Sequence, residues 1–117
     1  MGAVYEKRFG KLIECINRDT GKSHDDWRNG FVDKPGLITI AKSERKHPGK
    51  SYVHIFPYTD DLKQTYMSTS CGDIEISDDG CEITTEHSIY KYEFGDFGLD
   101  VLAKKEICLN VIGQPSL

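Results

Sequence analysis

CGDIEISDDGCEITTEHSIYKYEF, residues 71–94, decides the fold, because period, turn chemistry and charge agree along its whole length. Ile74 and Ile76 alternate with Asp73, Glu75 and Ser77. Successive strand side chains point to opposite faces, so the stretch has one apolar and one wet side. The pattern breaks at Asp79-Gly80, a pair that tolerates the positive φ of tight hairpin turns. Beyond it, Ile83-Thr84-Thr85 and then Ile89, Tyr90, Tyr92 and Phe94 supply further β-branched and aromatic residues. Two or three antiparallel strands joined by tight turns are predicted.

Upstream, Leu37–Ala41 opens a short strand after Pro35-Gly36, and Tyr52–Phe56 is its partner. Between them, KSERKHPGK (42–50) makes a turn carrying Lys42, Arg45, Lys46 and Lys50. Pro57, Asp60 and Asp61 end the second strand, and TYMSTS (65–70) leads into the hairpin. At the N-terminus, Tyr5, Phe9, Leu12, Ile13 and Ile16 fall at helical spacing and predict an amphipathic helix ended by NRDTG (17–21). Gly10 inside it costs about 1 kcal/mol against alanine. Its mixed-sign polar face suits core packing rather than membrane adsorption. In SHDDWRNGFVDKPG, Ser23 or Asp25 caps a short turn, and Trp27, Phe31 and Val32 close over the core; the alternative is a surface Trp27 beside Arg28 as an interaction anchor. GDFGLDVLAKKE loops onward into a short helical turn, and Ile107–Ile112 reads as a last strand stopped by Gly113 and Pro115. The expected fold is α+β, mainly β: an antiparallel sheet curled into a small barrel or half-barrel with one N-terminal helix.

A chain of 117 residues with 38% hydrophobic and 29% charged residues is expected to form one soluble domain. No apolar run approaches the roughly 20 residues that span a bilayer, and MGAVYEKRFG lacks the apolar core of a signal peptide, so no membrane role and a cytoplasmic location are expected. Cys15, Cys71, Cys81 and Cys108 form no Cys-x-x-Cys pair and have no His at ligand spacing, which argues against zinc. Cys71 and Cys81 flank the hairpin and could face each other, although a reducing compartment favours free thiols. Charge is unevenly spread: residues 1–58 carry eleven Lys/Arg against seven Asp/Glu, whereas residues 73–100 carry nine acids against Lys91 alone. Such blocks bias partner choice through the long-range field, beside the plainer reading of a solvated sheet face.

Short motifs add little. TGKS (20–23) ends like a phosphate loop but lacks its first glycine and preceding strand, and Asp96-Phe97-Gly98 lacks every other part of a kinase. Glu75-x-Ser77-x-Asp79-Gly80 with Glu86 imitates a calcium loop, yet its flanks alternate with period two where that motif has helices. His24, His47, His54 and His87 and the four thiols sit in no nucleophile motif; His24 with Asp25 and Asp26 reads as a cap rather than a metal site. No metal, no cofactor and no enzymatic activity are expected.

The phrase EITTEHSIYKYEF (Glu82–Phe94), preceded by Ser68-Thr69-Ser70, resembles the closing hairpin of small phage and mobile-element accessory proteins of Gram-positive bacteria. That resemblance implies an accessory protein working in the host-cell cytoplasm, where non-catalytic inhibitors of host defence are common. The expected function is a protein-binding inhibitor of a host nuclease or other nucleic-acid-binding defence effector, with no direct nucleic-acid contact. Asp73, Glu75, Asp78, Asp79, Glu82 and Glu86 on a rigid hairpin would imitate a nucleic-acid backbone in a basic groove. The alternatives are a small-molecule or nucleotide binder holding phosphate among Arg45, Lys46 and Lys50 near Tyr52, Tyr58 or Trp27, and an enzyme with a Cys or His centre.

Overall fold

A computed structural model describes residues 2–43, 47–58 and 66–112, with side chains over residues 4–43, 47–58 and 66–109. Seven strands form the fold: β1 Gly2–Asn17, β2 Gly36–Ser43, β3 Ser51–Pro57, β4 Met67–Ser68, β5 Asp73–Ile76, β6 Gly80–Thr84 and β7 Ser88–Phe94. They make one antiparallel sheet in the order β4-β3-β2-β1-β7-β6-β5, and helix α1, Val101–Ile112, follows them. The strands expected from the alternation of 71–94 and from Leu37–Ala41 with Tyr52–Phe56 are all present, the latter pair in the register Ile38↔Ile55 and Ile40↔Val53.

β1 organises the sheet. Its first part pairs with β2 and its second with β7, and Gly10 alone stands in both ladders, opposite Gly36 and Phe94. A Cβ on Gly10 would lie 2.3 Å from the Glu93 carbonyl oxygen and 2.9 Å from Ile38 Cδ1, so only glycine lets the two ladders meet there. Bulges between Val4 and Glu6 and between Leu12 and Glu14 shift the register on either side, which bends a strand that changes partners. At the far end, Ser51 of β3 and Gly72, just before β5, exchange backbone hydrogen bonds of 3.0 and 2.8 Å. The sheet is therefore curled until its flanks touch at one bridge, but it is not closed into a barrel.

The concave face holds the main core: Leu12 and Cys15 of β1, Ile38 and Ile40 of β2, Val53 and Ile55 of β3, Met67, Cys81, Ile83, Tyr90 and Tyr92, with Phe31 beneath. Full burial of each aliphatic side chain contributes about 1.5–3 kcal/mol before entropy is subtracted. On the opposite face of β2 and β3, Leu99, Ala103 and Ile107 of the α1 region pack on Leu37 and Phe56, joined by Phe9 and Tyr66. Asp100 Oδ1 accepts from the Ala103 amide at 2.8 Å and caps the helix start.

Several expectations are corrected. The N-terminal segment is the strand β1, not a helix, and Ile107–Ile112 is the end of α1, not a strand. Trp27 does not close over the core. It is 61% exposed, edge-on to the buried Phe31 at 6.0 Å and under the Arg28 guanidinium, and the short 3-10 turn that carries it is capped by Asp26 rather than Ser23 or Asp25. The chain turns at Asp78-Asp79, one residue earlier than expected, with Gly80 already the first residue of β6, and neither Asp79 nor Gly80 takes a positive φ. Gly80 is needed for approach instead, since a Cβ there would lie 2.1 Å from the Tyr92 carbonyl oxygen. All four cysteines are free. Cys81 faces Ile76, while Cys71 lies beyond the Asp73↔Thr84 pair, roughly 15 Å along the ladder, far outside disulfide reach.

His54 is buried opposite Thr39, stacked at 5.9 Å on Phe56 and 5.2 Å from Tyr66, and among the described residues neither His54 Nδ1 nor Thr39 Oγ1 has a hydrogen-bond partner. Burial lowers the His54 pKa from 6.5. Between that lowered value and 6.5 the unfolded chain binds the extra proton, so stability rises with pH across this window and is lost as pH falls through it. His54→Phe, which keeps the stacking and removes an unpaired nitrogen, is expected to abolish that part of the slope and to raise stability by about 1 kcal/mol. Urea melts of both proteins across the window check this; an unchanged slope contradicts it.

Candidate functional site

Pairing across four strands sets out the acidic face. Glu75, Glu82, Lys91 and Glu14 form one cross-strand row over β5, β6, β7 and β1. Neighbouring strands lie about 4.8 Å apart, so Glu75 and Glu82 are held side by side. Lys91 Nζ reaches Glu14 at 3.7 Å, and among the described residues neither Glu75 nor Glu82 has an ion-pair partner. Glu93 lies in the next row, opposite Gly80 and Lys11. Asp78 and Asp79 are exposed in the β5–β6 turn, which Ser77 closes through its backbone bond to Gly80. Beside the row runs an open cleft of about 490 Å³ lined by Ile13 and Ile76, 41% and 40% exposed, together with Glu75, Glu82 and Glu93.

The six acids singled out in the sequence thus divide. Glu75, Asp78, Asp79 and Glu82 share this region. Asp73 accepts from Lys50 at 2.6 Å, so its charge is already compensated. Glu86 belongs to the β6–β7 turn, at the other end of β6, beside His87 at 3.9 Å. That position also carries it away from Glu75 and Asp79, and the calcium-like spacing does not converge. Among the described residues no group of three or more His, Cys, Asp or Glu is placed to hold a metal ion. Glu14 and Glu93 were missed as face residues, because pairing of β1 with β7, not sequence proximity, brings them in. Of the basic-loop alternative, Arg45 and Lys46 lie outside the described residues, and Lys50 is engaged by Asp73.

One arrangement has distances reminiscent of a hydrolase triad. His24 Nε2 is 2.9 Å from Ser88 Oγ, and Asp26 Oδ2 is 3.9 Å from His24 Nδ1. Arg28 NH1, however, is 2.9 Å from that Nδ1 and 2.8 Å from Asp26. A guanidinium only donates, so Nδ1 accepts and the ring proton sits on Nε2, pointing at Ser88. In this arrangement His24 gives a proton to the hydroxyl oxygen where activation needs it to take one. Ser88 is also buried.

The thiols divide by environment. Burial pushes Cys15 up to about 11 and Cys81 up to about 12, whereas Cys108 is exposed on α1. Iodoacetamide at neutral pH is therefore expected to label Cys108 first, with Cys15 and Cys81 protected until the protein unfolds. Peptide mass spectrometry reads the order; early labelling of Cys81 would contradict the packing.

No protein-family model, curated protein or solved structure matches the chain. No helix among the described residues is long and apolar enough to cross a membrane.

Proposed function

We propose that this chain is a non-enzymatic binding protein that occupies a cationic surface of another macromolecule with the outer face of β1, β7, β6 and β5. The observation that carries the reading is the Glu75–Glu82 pair. Like charges directly opposite on neighbouring strands destabilise a sheet by about 0.2–1 kcal/mol, and nothing in the fold requires them there. A basic partner would convert that repulsion into attraction. The exposed Ile13 beside the row supplies the apolar contact that an interface core needs. The occupant we infer is the Lys/Arg-lined groove of a nucleic-acid-binding protein, whose own ligand carries the same sign of charge. The resemblance of Glu82–Phe94 to phage accessory proteins supports making that partner a host nuclease or defence effector.

The test is capture from a bacterial lysate by the wild-type chain and by a Glu14→Gln, Glu75→Gln, Glu82→Gln, Glu93→Gln variant. The expected result is a captured nucleic-acid-binding protein that duplex DNA displaces and that the variant loses by at least about 100-fold in affinity, as removal of several charge contacts implies. Equal capture by both chains, or indifference to DNA, contradicts the reading.

A further inference from the structure

At the end of the curled sheet away from the Asp78-Asp79 turn lies a half-enclosed cavity of about 660 Å³, a volume within the range of small-ligand sites. Three separate segments bring cationic or titratable groups to its wall: Arg18 after β1, Arg28 of the 3-10 turn, and His47 and Lys50 before β3. Thr85 and Ser88 contribute to the lining between them. Of the acids of the wall, Asp73 is matched by Lys50 at 2.6 Å, and the Glu86 side chain is largely exposed, beside its neighbour His87 at 3.9 Å. Arg28 is neutralised by Asp26 at 2.8 Å and locked in place by His24, which in turn bonds Ser88.

Arg18 is different. Its NH1 donates to the carbonyl oxygens of Thr85 at 2.6 Å and Glu86 at 3.4 Å, neutral acceptors that orient the guanidinium without cancelling its charge. Among the described residues it has no carboxylate partner. A guanidinium offers five N–H donors in a planar fork, and these contacts use one nitrogen. Arg18 lines the cavity with donors to spare, and a second fixed guanidinium, Arg28, and the His47 imidazole stand on the same wall. Preorganised donors around an uncompensated positive charge are what a tetrahedral oxyanion recognises.

We propose that this cavity binds a small phosphate-bearing molecule, with Arg18 as its principal ligand and Arg28 and His47 as flanking donors. The site is separate from the acidic face and does not depend on it. A purely structural Arg18 would staple the end of β1 to the β6–β7 turn and do nothing more.

The experiment is a ¹H–¹⁵N NMR titration of the full chain with inorganic phosphate and with ribose 5-phosphate, against sodium chloride at matched ionic strength. Saturable shifts confined to Arg18, His47, Thr85 and Ser88 are expected, with the ester binding more tightly than inorganic phosphate because it fills more of the cavity. Arg18→Met is expected to weaken both by about tenfold or more, the loss of one charge-assisted contact. Arg18→Lys, which keeps the charge and loses the fork, should fall between. Glu75→Gln, on the acidic face, should bind like wild type. Three results would overturn the proposal: no saturation into the tens of millimolar, shifts reproduced by chloride, or an Arg18→Met variant that melts earlier yet binds phosphate unchanged.

Discussion

Gly10→Ala is expected to destabilise the protein by at least about 3 kcal/mol, the upper end of overpacking penalties, and so to remove a large part of a typical domain stability of about 5–15 kcal/mol. The added methyl would stand 2.3 Å from the Glu93 carbonyl oxygen. That oxygen belongs to the β7 backbone and cannot rotate away as a side chain would. Relief requires β1 to separate from β7 or from β2, and because Gly10 stands in both ladders, either movement opens the seam on which the two parts of the sheet depend. Gly30→Ala is the matched control: a Cβ there meets nothing within 4 Å, and Gly30 has no positive φ. It should change stability by no more than about 1 kcal/mol, in the stabilising direction, through the entropy of the unfolded chain. Chemical denaturation of both variants reads the difference, and similar midpoints would contradict the account of the seam.

The second large effect separates the strand from the helix that the N-terminal sequence imitates. Leu12→Ala is expected to cost about 2–5 kcal/mol, because Leu12 is fully buried in the main core. Ile13→Ala should cost less than about 0.5–1 kcal/mol, since Ile13 sits at the β1 bulge and is 41% exposed. On a helix with its stripe toward the core, adjacent Leu12 and Ile13 would both be buried and both truncations would be severe. Comparable losses from the two would therefore contradict β1.

The same segment shows where sequence reading fails and why. Phe9, Leu12, Ile13 and Ile16 have helical spacing, but on β1 they divide between the two faces, and the Leu12/Glu14 bulge resets the alternation after Leu12. Phe9 packs with the α1 cluster while Leu12 packs in the concave core, on opposite faces of one strand. Where strands are unbulged, as in Leu37–Ala41, Tyr52–Phe56 and Ile83–Phe94, alternation and β-branching were sufficient. α1 was concealed differently: Val101, Leu102 and Leu109 are exposed, so its apolar residues surround the helix and ICLNVI reads like a strand. The local signal available was Asp100, a good cap, ahead of the helix formers Ala103, Lys104 and Lys105. For the acidic face, the run of carboxylates was visible but its partition was not. Only register shows that Glu75 stands beside Glu82, that Asp73 is held by Lys50, that Glu86 sits at the opposite end, and that Glu14 and Glu93 join from elsewhere.

That register also supplies a single variant in which folding and function should move in opposite directions. Glu75→Lys turns the row Glu75, Glu82, Lys91, Glu14 into a strictly alternating one, and it should stabilise the sheet by about 0.5–1 kcal/mol, the worth of replacing a like-charge pair by an opposite one. The same change places a cation at the centre of the surface proposed to meet a cationic groove. Measured side by side, the denaturation midpoint should rise while affinity for the DNA-displaceable partner falls by tenfold or more, about 1.4 kcal/mol. A variant that is more stable and binds that partner as tightly as wild type would show that the acidic row serves solubility alone.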